Sequence, residues 1–215
     1  MTIEMVEQKF GMYGYLDIHK ATRRHLDNYL LKASLVSAND LKTIKTLQSD
    51  FDFYWNMLEH HHKTEDAGFF PMLGGIDSTF ATQIAAMTED HEVVDEMVVK
   101  IKAYLVDAAN GKANAYDQFL EQTRAFRDTL FDHLDREEEI VIPAVNRHFT
   151  YEQQLVMEEQ VISAMPVEHV AIMFPWIYEV MTTVERVTAY GQLPESFRAS
   201  YGYWEEEYYL LRSAR

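Results

Sequence analysis

His61-His62-Lys63-Thr64-Glu65-Asp66-Ala67-Gly68-Phe69-Phe70-Pro71 and His133-Leu134-Asp135-Arg136-Glu137-Glu138-Glu139-Ile140-Val141-Ile142-Pro143 repeat one pattern. In each stretch a Glu follows a His by four residues and a Pro follows it by ten. On a helix, a four-residue step places two side chains on one face, one turn apart. Such a pair offers a metal ion a ring nitrogen and a carboxylate oxygen. Two pairs on facing helices make a symmetric half-shell around two metals, with each Glu free to bridge them.

The surrounding sequence supplies the helices. Only 8 Gly and 5 Pro occur in 215 residues, so long stretches run without a breaker. Periodicity predicts a first helix over 13–34, with Leu16, His19, Leu26 and Leu30 near one face. Asn39 or Asp40 can cap a second that carries Phe51, Tyr54, Leu58 and His61. The segment from Gly68 to Ser78 ends it, and Asp77 or Ser78 offers a cap for a third with Ile84, Met87, His91, Val94 and Val98 in register. Asn110 and Gly111 stop the third. A fourth covers 115–146 with Phe126, Leu130, His133, Glu137 and Ile140 aligned. Short connections make consecutive helices antiparallel neighbours, so the expected fold is all-α, an up-down-up-down four-helix bundle over residues 1–149.

Residues 150–215 read as a C-terminal helical extension. Thr150 with Gln153 forms a capping box, and Pro166, Pro175 and Pro194 punctuate the rest of the chain. Trp176, Tyr178, Tyr201, Tyr203, Trp204, Tyr208 and Tyr209 crowd this tail. Packing against the bundle is the first explanation for so many rings, and a homodimer surface is the second.

Composition removes several function classes. The net charge is −16 and no basic patch stands out, which argues against nucleic acid and anionic membrane as partners. With 0 Cys there is no disulfide, no thiolate catalysis and no Cys-bound zinc or iron–sulfur cluster. A metal must then be held by His and oxygen ligands. The amino-terminal stretch lacks an apolar signal core, and no apolar run reaches the roughly 18 residues of a membrane span. A cytoplasmic location is the expectation. Walker, Rossmann and nucleophile-elbow motifs do not occur.

The first and third helices each add one His to an apolar stripe: His19 between Leu16 and Leu26, His91 between Met87 and Val94. A ring nitrogen buried without a partner costs about 1–3 kcal/mol, so inward His on four helices call for a shared ligand. Any one of them alone would read as a core residue bonded to a carbonyl. His60 and His62 are rotated about 100° to either side of His61 and belong to the rim, although His62 can approach the metal from one side. His25 falls on another face and reads as surface. His148 and His169 receive no role. Tyr15 and Tyr54 lie on the inward faces as pocket residues, with packing their first role. Leu58, Met87 and Phe126 provide an apolar lining that limits solvent access.

These motifs resemble the hemerythrin-like (HHE cation-binding) domains. The resemblance spans roughly residues 12–147, through Asp17 to Leu26, Glu59 to Leu73, Glu89 to Met97 and His133 to Val145. Residues 173–180 and the tail are similar to the extension of longer bacterial members. The resemblance implies a non-haem di-iron centre, oxo- or hydroxo-bridged, with His19, His61, His91 and His133 as terminal ligands and Glu65 and Glu137 as bridges. Glu138 is the alternative to Glu137, because hemerythrins proper place that carboxylate five residues after the His. They also carry a second His four residues after the third-helix His, where this chain has Asp95.

Asp95 is therefore expected at the metal, as ligand or as a partner of a ligand His. An anionic ligand stabilises Fe(III) over Fe(II). The function so implied is a di-iron protein that binds or senses O2, peroxide or nitric oxide rather than a simple carrier. A di-iron oxidase or peroxide-decomposing enzyme and a metal-free helical interaction module are the alternatives, with zinc or manganese as other occupants. On this reading Asp95→His should raise the reduction potential and slow autoxidation; unchanged values would refute it.

Overall fold

A computed structural model describes residues 10–76 and 78–213. Among these residues every regular element is helical. Four long helices, α1 (Tyr13–Ser34), α2 (Leu41–Thr64), α4 (Ala81–Ala109) and α5 (Ala115–His148), form a ring in which α1 touches α2 and α5, and α4 touches α2 and α5. This is the expected four-helix bundle.

The helix ends obey local chemistry. Asp40 caps α2, its carboxylate accepting from the Thr43 amide at 3.0 Å. Gly111 leaves α4 with φ +75°, a conformation that costs glycine nothing. Asp77 lies outside the described residues, and Ser78 opens a 3-10 turn (Ser78–Phe80) rather than capping α4.

The segment after Glu65 does not terminate the second helix. It passes through a π-helical turn, Glu65–Phe69, and continues as α3 (Phe70–Ile76). The widened turn closes with the Phe70 amide donating to the Glu65 carbonyl. Pro71, which has no amide to donate, then sits in the first turn of α3, where a helix tolerates it. Such bulges concentrate at functional sites.

Each bundle helix buries one stripe. On α1 it consists of Tyr15, Ile18, His19, Ala21, Thr22, Leu26, Tyr29 and Ala33. Leu16 and Leu30, expected there, lie at its half-buried edges. Two apolar clusters result. One holds Ile18, Leu58, Val94, Leu130 and Leu134; the other holds Tyr15, Phe69, Phe70, Met87 and Val141. The His and Glu residues of the repeated pattern lie between them along each helix.

The tail forms α6 (Tyr151–Ala164), α7 (Val167–Glu179), α8 (Thr183–Gln192) and α9 (Glu195–Ser213). Both Thr150 and Thr182 make reciprocal capping boxes. Trp176, Tyr178, Tyr201, Trp204 and Tyr208 are buried, and they share one apolar cluster with the bundle helices; Tyr203 and Tyr209 are exposed. His25 is not a surface residue: it stacks on Trp176 and lies 2.8 Å from that residue's carbonyl oxygen. Arg24 bonds Glu185 through both terminal nitrogens at 2.7 and 3.0 Å. No single helix among the described residues is long and apolar enough to cross a membrane.

α6 meets the start of α1 very closely. The Gly14 amide donates to Glu158 Oε1 at 2.6 Å, and a Cβ at Gly14 would collide with that carboxylate. Burial pushes the Glu158 carboxyl up to about 7, against the pull of the Gly14 amide. A carboxyl raised by folding stabilises the fold fully below its unfolded value of 4.5, and this is lost as pH rises through about 7. Glu158→Gln should therefore flatten the fall in Tm between about pH 5 and about pH 8, measured by thermal unfolding. Parallel curves for the two proteins would contradict the assignment.

Candidate metal centre

Seven donor side chains converge between the two apolar clusters, in groups of four and three. His19 comes from α1, His61 and His62 from the last turn of α2, and Glu65 from the π-helical turn. His91 comes from α4, and His133 and Glu137 come from α5. The first group is His19, His61, Glu65 and Glu137; the second is His62, His91 and His133. Within each, the nearest donor atoms all lie within 4.8 Å of one another.

The two carboxylates span the groups. Glu65 Oε1 faces His61 Nε2 at 3.4 Å and His19 Nε2 at 4.0 Å, while its Oε2 faces His91 Nε2 at 3.7 Å. Glu137 Oε2 faces His19 Nε2 at 3.6 Å, while its Oε1 faces His133 Nε2 at 3.2 Å and His91 Nε2 at 3.6 Å. Each carboxylate thus presents one oxygen to each side. Atoms bound at roughly 2.1 Å to one ion are held about 3–4 Å apart, so these separations suit shared ligation better than direct hydrogen bonding.

Both oxygens of Glu65 and Glu137, Nε2 of His19, His61, His91 and His133, and both nitrogens of His62 are buried without a hydrogen-bond partner. Each such atom costs about 1–3 kcal/mol, and more where charged. A cation held among them would repay that cost, so the donor set fits a metal. Burial, with Glu137 and Asp66 nearby, raises the Glu65 carboxyl well above its ordinary range. Burial and the neighbouring imidazoles hold His61 and His62 well below theirs. Neutral rings are the form that ligates.

Carboxylates behind the rings fix their orientation. His19 Nδ1 lies 3.0 Å from Glu138 Oε1, and His91 Nδ1 lies 2.9 Å from Asp66 Oδ2. A carboxylate only accepts, so each Nδ1 carries the proton, and in the neutral ring Nε2 keeps its lone pair for the interior. Asp90 stands 3.5 Å from His133 Nδ1. For His91, burial works against the cation, but Glu137 and Asp66 outweigh it and raise the ring's pKa. Burial opposes the Glu138 charge, yet His19 and Arg23 hold its carboxyl down at about 2. Arg23 also bonds Asp135 at 2.6 Å. Glu138 is thus an orienting group outside the donor cluster rather than a substitute for Glu137.

Two expectations are corrected. Asp95 is exposed and belongs to neither donor group. The buried stripe Met87, His91, Val94, Val98, Ile101 and Leu105 sets the inward direction of α4, and Asp95 is rotated about 80° from it. So placed, Asp95 supplies no anionic ligand, and the bias toward Fe(III) expected from it is lost. His62, expected at the rim, is 4% exposed and stacks on His91 with ring centres 4.0 Å apart. The α2 stripe of Ile44, Leu47, Phe51, Tyr54 and Leu58 runs between the two rings, with His61 about 60° to one side and His62 about 40° to the other. Both therefore face inward, one toward each donor group.

Tyr15 packs its ring 4.4 Å from that of His19 with its hydroxyl buried and unpartnered. Tyr54 is away from the site and donates to the Thr22 carbonyl at 3.3 Å, a packing role. Leu58, Phe126 and Met87 are buried in the flanking clusters, and Phe70, unforeseen, stacks on His91 at 5.9 Å. The His91–Asp66 hydrogen bond and the 3.5 Å approach of Asp90 to His133 both cross between helices and leave no spacing signal in the sequence.

A bundle with His and Glu donors brought inward from four helices defines a class, the helical cation-binding domains. The Hemerythrin family model, described as the hemerythrin HHE cation binding domain, matches residues 15–145, and the chain belongs to that family. The chain is 23% identical over 177 residues to a zinc finger protein BRUTUS-like of Arabidopsis thaliana, covering 80% of this chain and 14% of the relative. It is 22% identical over 163 residues to zinc finger protein BRUTUS of the same plant, covering 76% and 13%. The chain thus spans a small part of the curated relatives it matches. No solved structure matches it.

His62→Ala should lower the bound metal per chain, measured by elemental analysis, while Asp95→Ala leaves it unchanged. Asp66→Asn should weaken metal binding about 10- to 100-fold, the usual cost of losing an orienting partner. Full retention in His62→Ala, or loss in Asp95→Ala, would contradict the assignment.

Proposed function

We propose that this chain holds two iron ions, one among His62, His91 and His133 and one between His19 and His61, with Glu65 and Glu137 spanning both. On this reading the centre binds or senses a small oxidant or diatomic molecule: O2, peroxide or nitric oxide. The observation that carries the reading is the unequal division of imidazoles, three on one side and two on the other, around two carboxylates that each face both sides. The two-imidazole side has fewer protein donors, which favours a free coordination position there. Bound iron would supply a reversible change of oxidation state and that position for the small molecule.

The protein's own residues supply the rest. His19 and His91 are held in one tautomer by Glu138 and Asp66. The apolar clusters on either side restrict water. Five imidazoles against two carboxylates make a His-rich set, which supports binding or sensing over oxidative turnover by a carboxylate-rich centre. A single tetrahedral zinc would use four donors and leave the others orphaned.

The purified protein, reduced without air, should contain about two irons per chain and change its visible spectrum stoichiometrically on adding nitric oxide or O2. Sustained peroxide consumption at enzymatic rates would favour the oxidoreductase reading. One zinc per chain, or no spectral response, would contradict the proposal.

A further inference from the structure

Two histidines that the centre does not use meet where the bundle and the extension face each other. His60 of α2 and His169 of α7 bring their ring centres to 4.0 Å, tilted by 36°. His169 lies outside residues 15–145, the region matched by the family model, so the pair depends on the extension. His60 is exposed and His169 is half-buried. Burial, with His60 close by, holds the His169 ring down at about 4, so near neutral pH it is uncharged and keeps a lone pair for a metal ion.

Both rings line one cavity of about 90 Å³. The same cavity is lined by His61 and Glu65 of the proposed centre, and by Thr64 and Glu158. Its wall therefore leads from an exposed imidazole to donor atoms that are buried and unpartnered.

From this placement we infer that His60 and His169 form an outer metal-binding site, through which a divalent cation reaches His61 and Glu65. The inference rests on the reading of the centre given above. The donors choose the guest, because imidazole pairs without a thiolate suit borderline divalent ions such as Fe2+, Co2+ or Zn2+. Donors on one ion stand roughly 3–4 Å apart, the scale of this ring separation. Two protein ligands hold such an ion weakly, with water in its other positions, whereas the centre offers a larger set. That difference favours transfer inward. The ion exchanges waters for the outer imidazoles, then gives these up for His61 and Glu65, with no change of oxidation state. The cavity has room for a few waters, so the ion can pass while partly hydrated. Glu158 adds a carboxylate to the wall, and the net charge of −16 draws cations toward the surface.

Cobalt(II) is the probe for the outer site. In crystals of the iron-loaded protein soaked with it, an anomalous peak at the cobalt edge should stand between His60 and His169. Stacking alone needs no ring nitrogen, so His169→Phe, which keeps a ring and removes both nitrogens, separates a metal-binding role from packing. It should abolish the cobalt peak. It should also slow iron release from the reduced, loaded protein to a coloured ferrous chelator about tenfold, with iron per chain unchanged, because entry and exit share one route. His60→Asn, at an exposed position, should behave alike and keeps the test intact if the Phe variant does not fold. No cobalt at the native pair, a peak retained in either variant, or unaltered release overturns the inference. Lower iron content in a folded variant overturns it too, since the pair would then support the centre itself. If the native chain holds no iron, the reading of the centre fails instead, and the cobalt soak still decides the outer site.

Discussion

Two carboxylates and five imidazoles buried in one layer, with their inward atoms unpartnered by the protein, are the constraint around which this fold is arranged. Glu65 and Glu137 are 2% and 0% exposed, and all four of their carboxylate oxygens lack a hydrogen bond. Without a cation, such a layer is a large electrostatic liability, set against a net stability of about 5–15 kcal/mol for an ordinary domain. The long helices hold it in place through apolar packing on both sides. The donor geometry is thus fixed by the bundle in advance, and a cation repays the burial.

The orienting groups arise from the same constraint. A ring that presents Nε2 inward must satisfy Nδ1 outward, and Glu138 and Asp66 do so at 3.0 and 2.9 Å. Arg23 in turn fixes Glu138. The π-helical turn at Glu65 belongs to this set too, since it begins at the residue that faces both donor groups and lets the helix run on past Pro71. The extension adds a third layer of control. Its helices α6 and α7 line a cavity that His61 and Glu65 also border.

Much of this was legible in the sequence, and the failures have physical causes. The helix boundaries were readable because Asp40, Gly111 and Thr150 carry strong local signals. The His–Glu pairs were readable because a four-residue step keeps a pair on one face. His62 and Asp95 depart from expectation for one reason: His61 and His91 lie to one side of their helices' apolar stripes, not at the centre. Averaging over Ile44 to Leu58 turns His62 inward, and averaging over Met87 to Leu105 turns Asp95 out. The contacts of Asp66, Asp90 and Glu158 join residues distant in sequence, so no periodicity could announce them.

The central claim is that two ions occupy the layer, one in each donor group. An anomalous difference map at the iron edge, from crystals of the iron-loaded protein, tests it most directly. The account predicts two peaks, one among His62, His91 and His133 and the other between His19 and His61, both within reach of Glu65 and Glu137. A single peak, or a peak at Asp95, would contradict it.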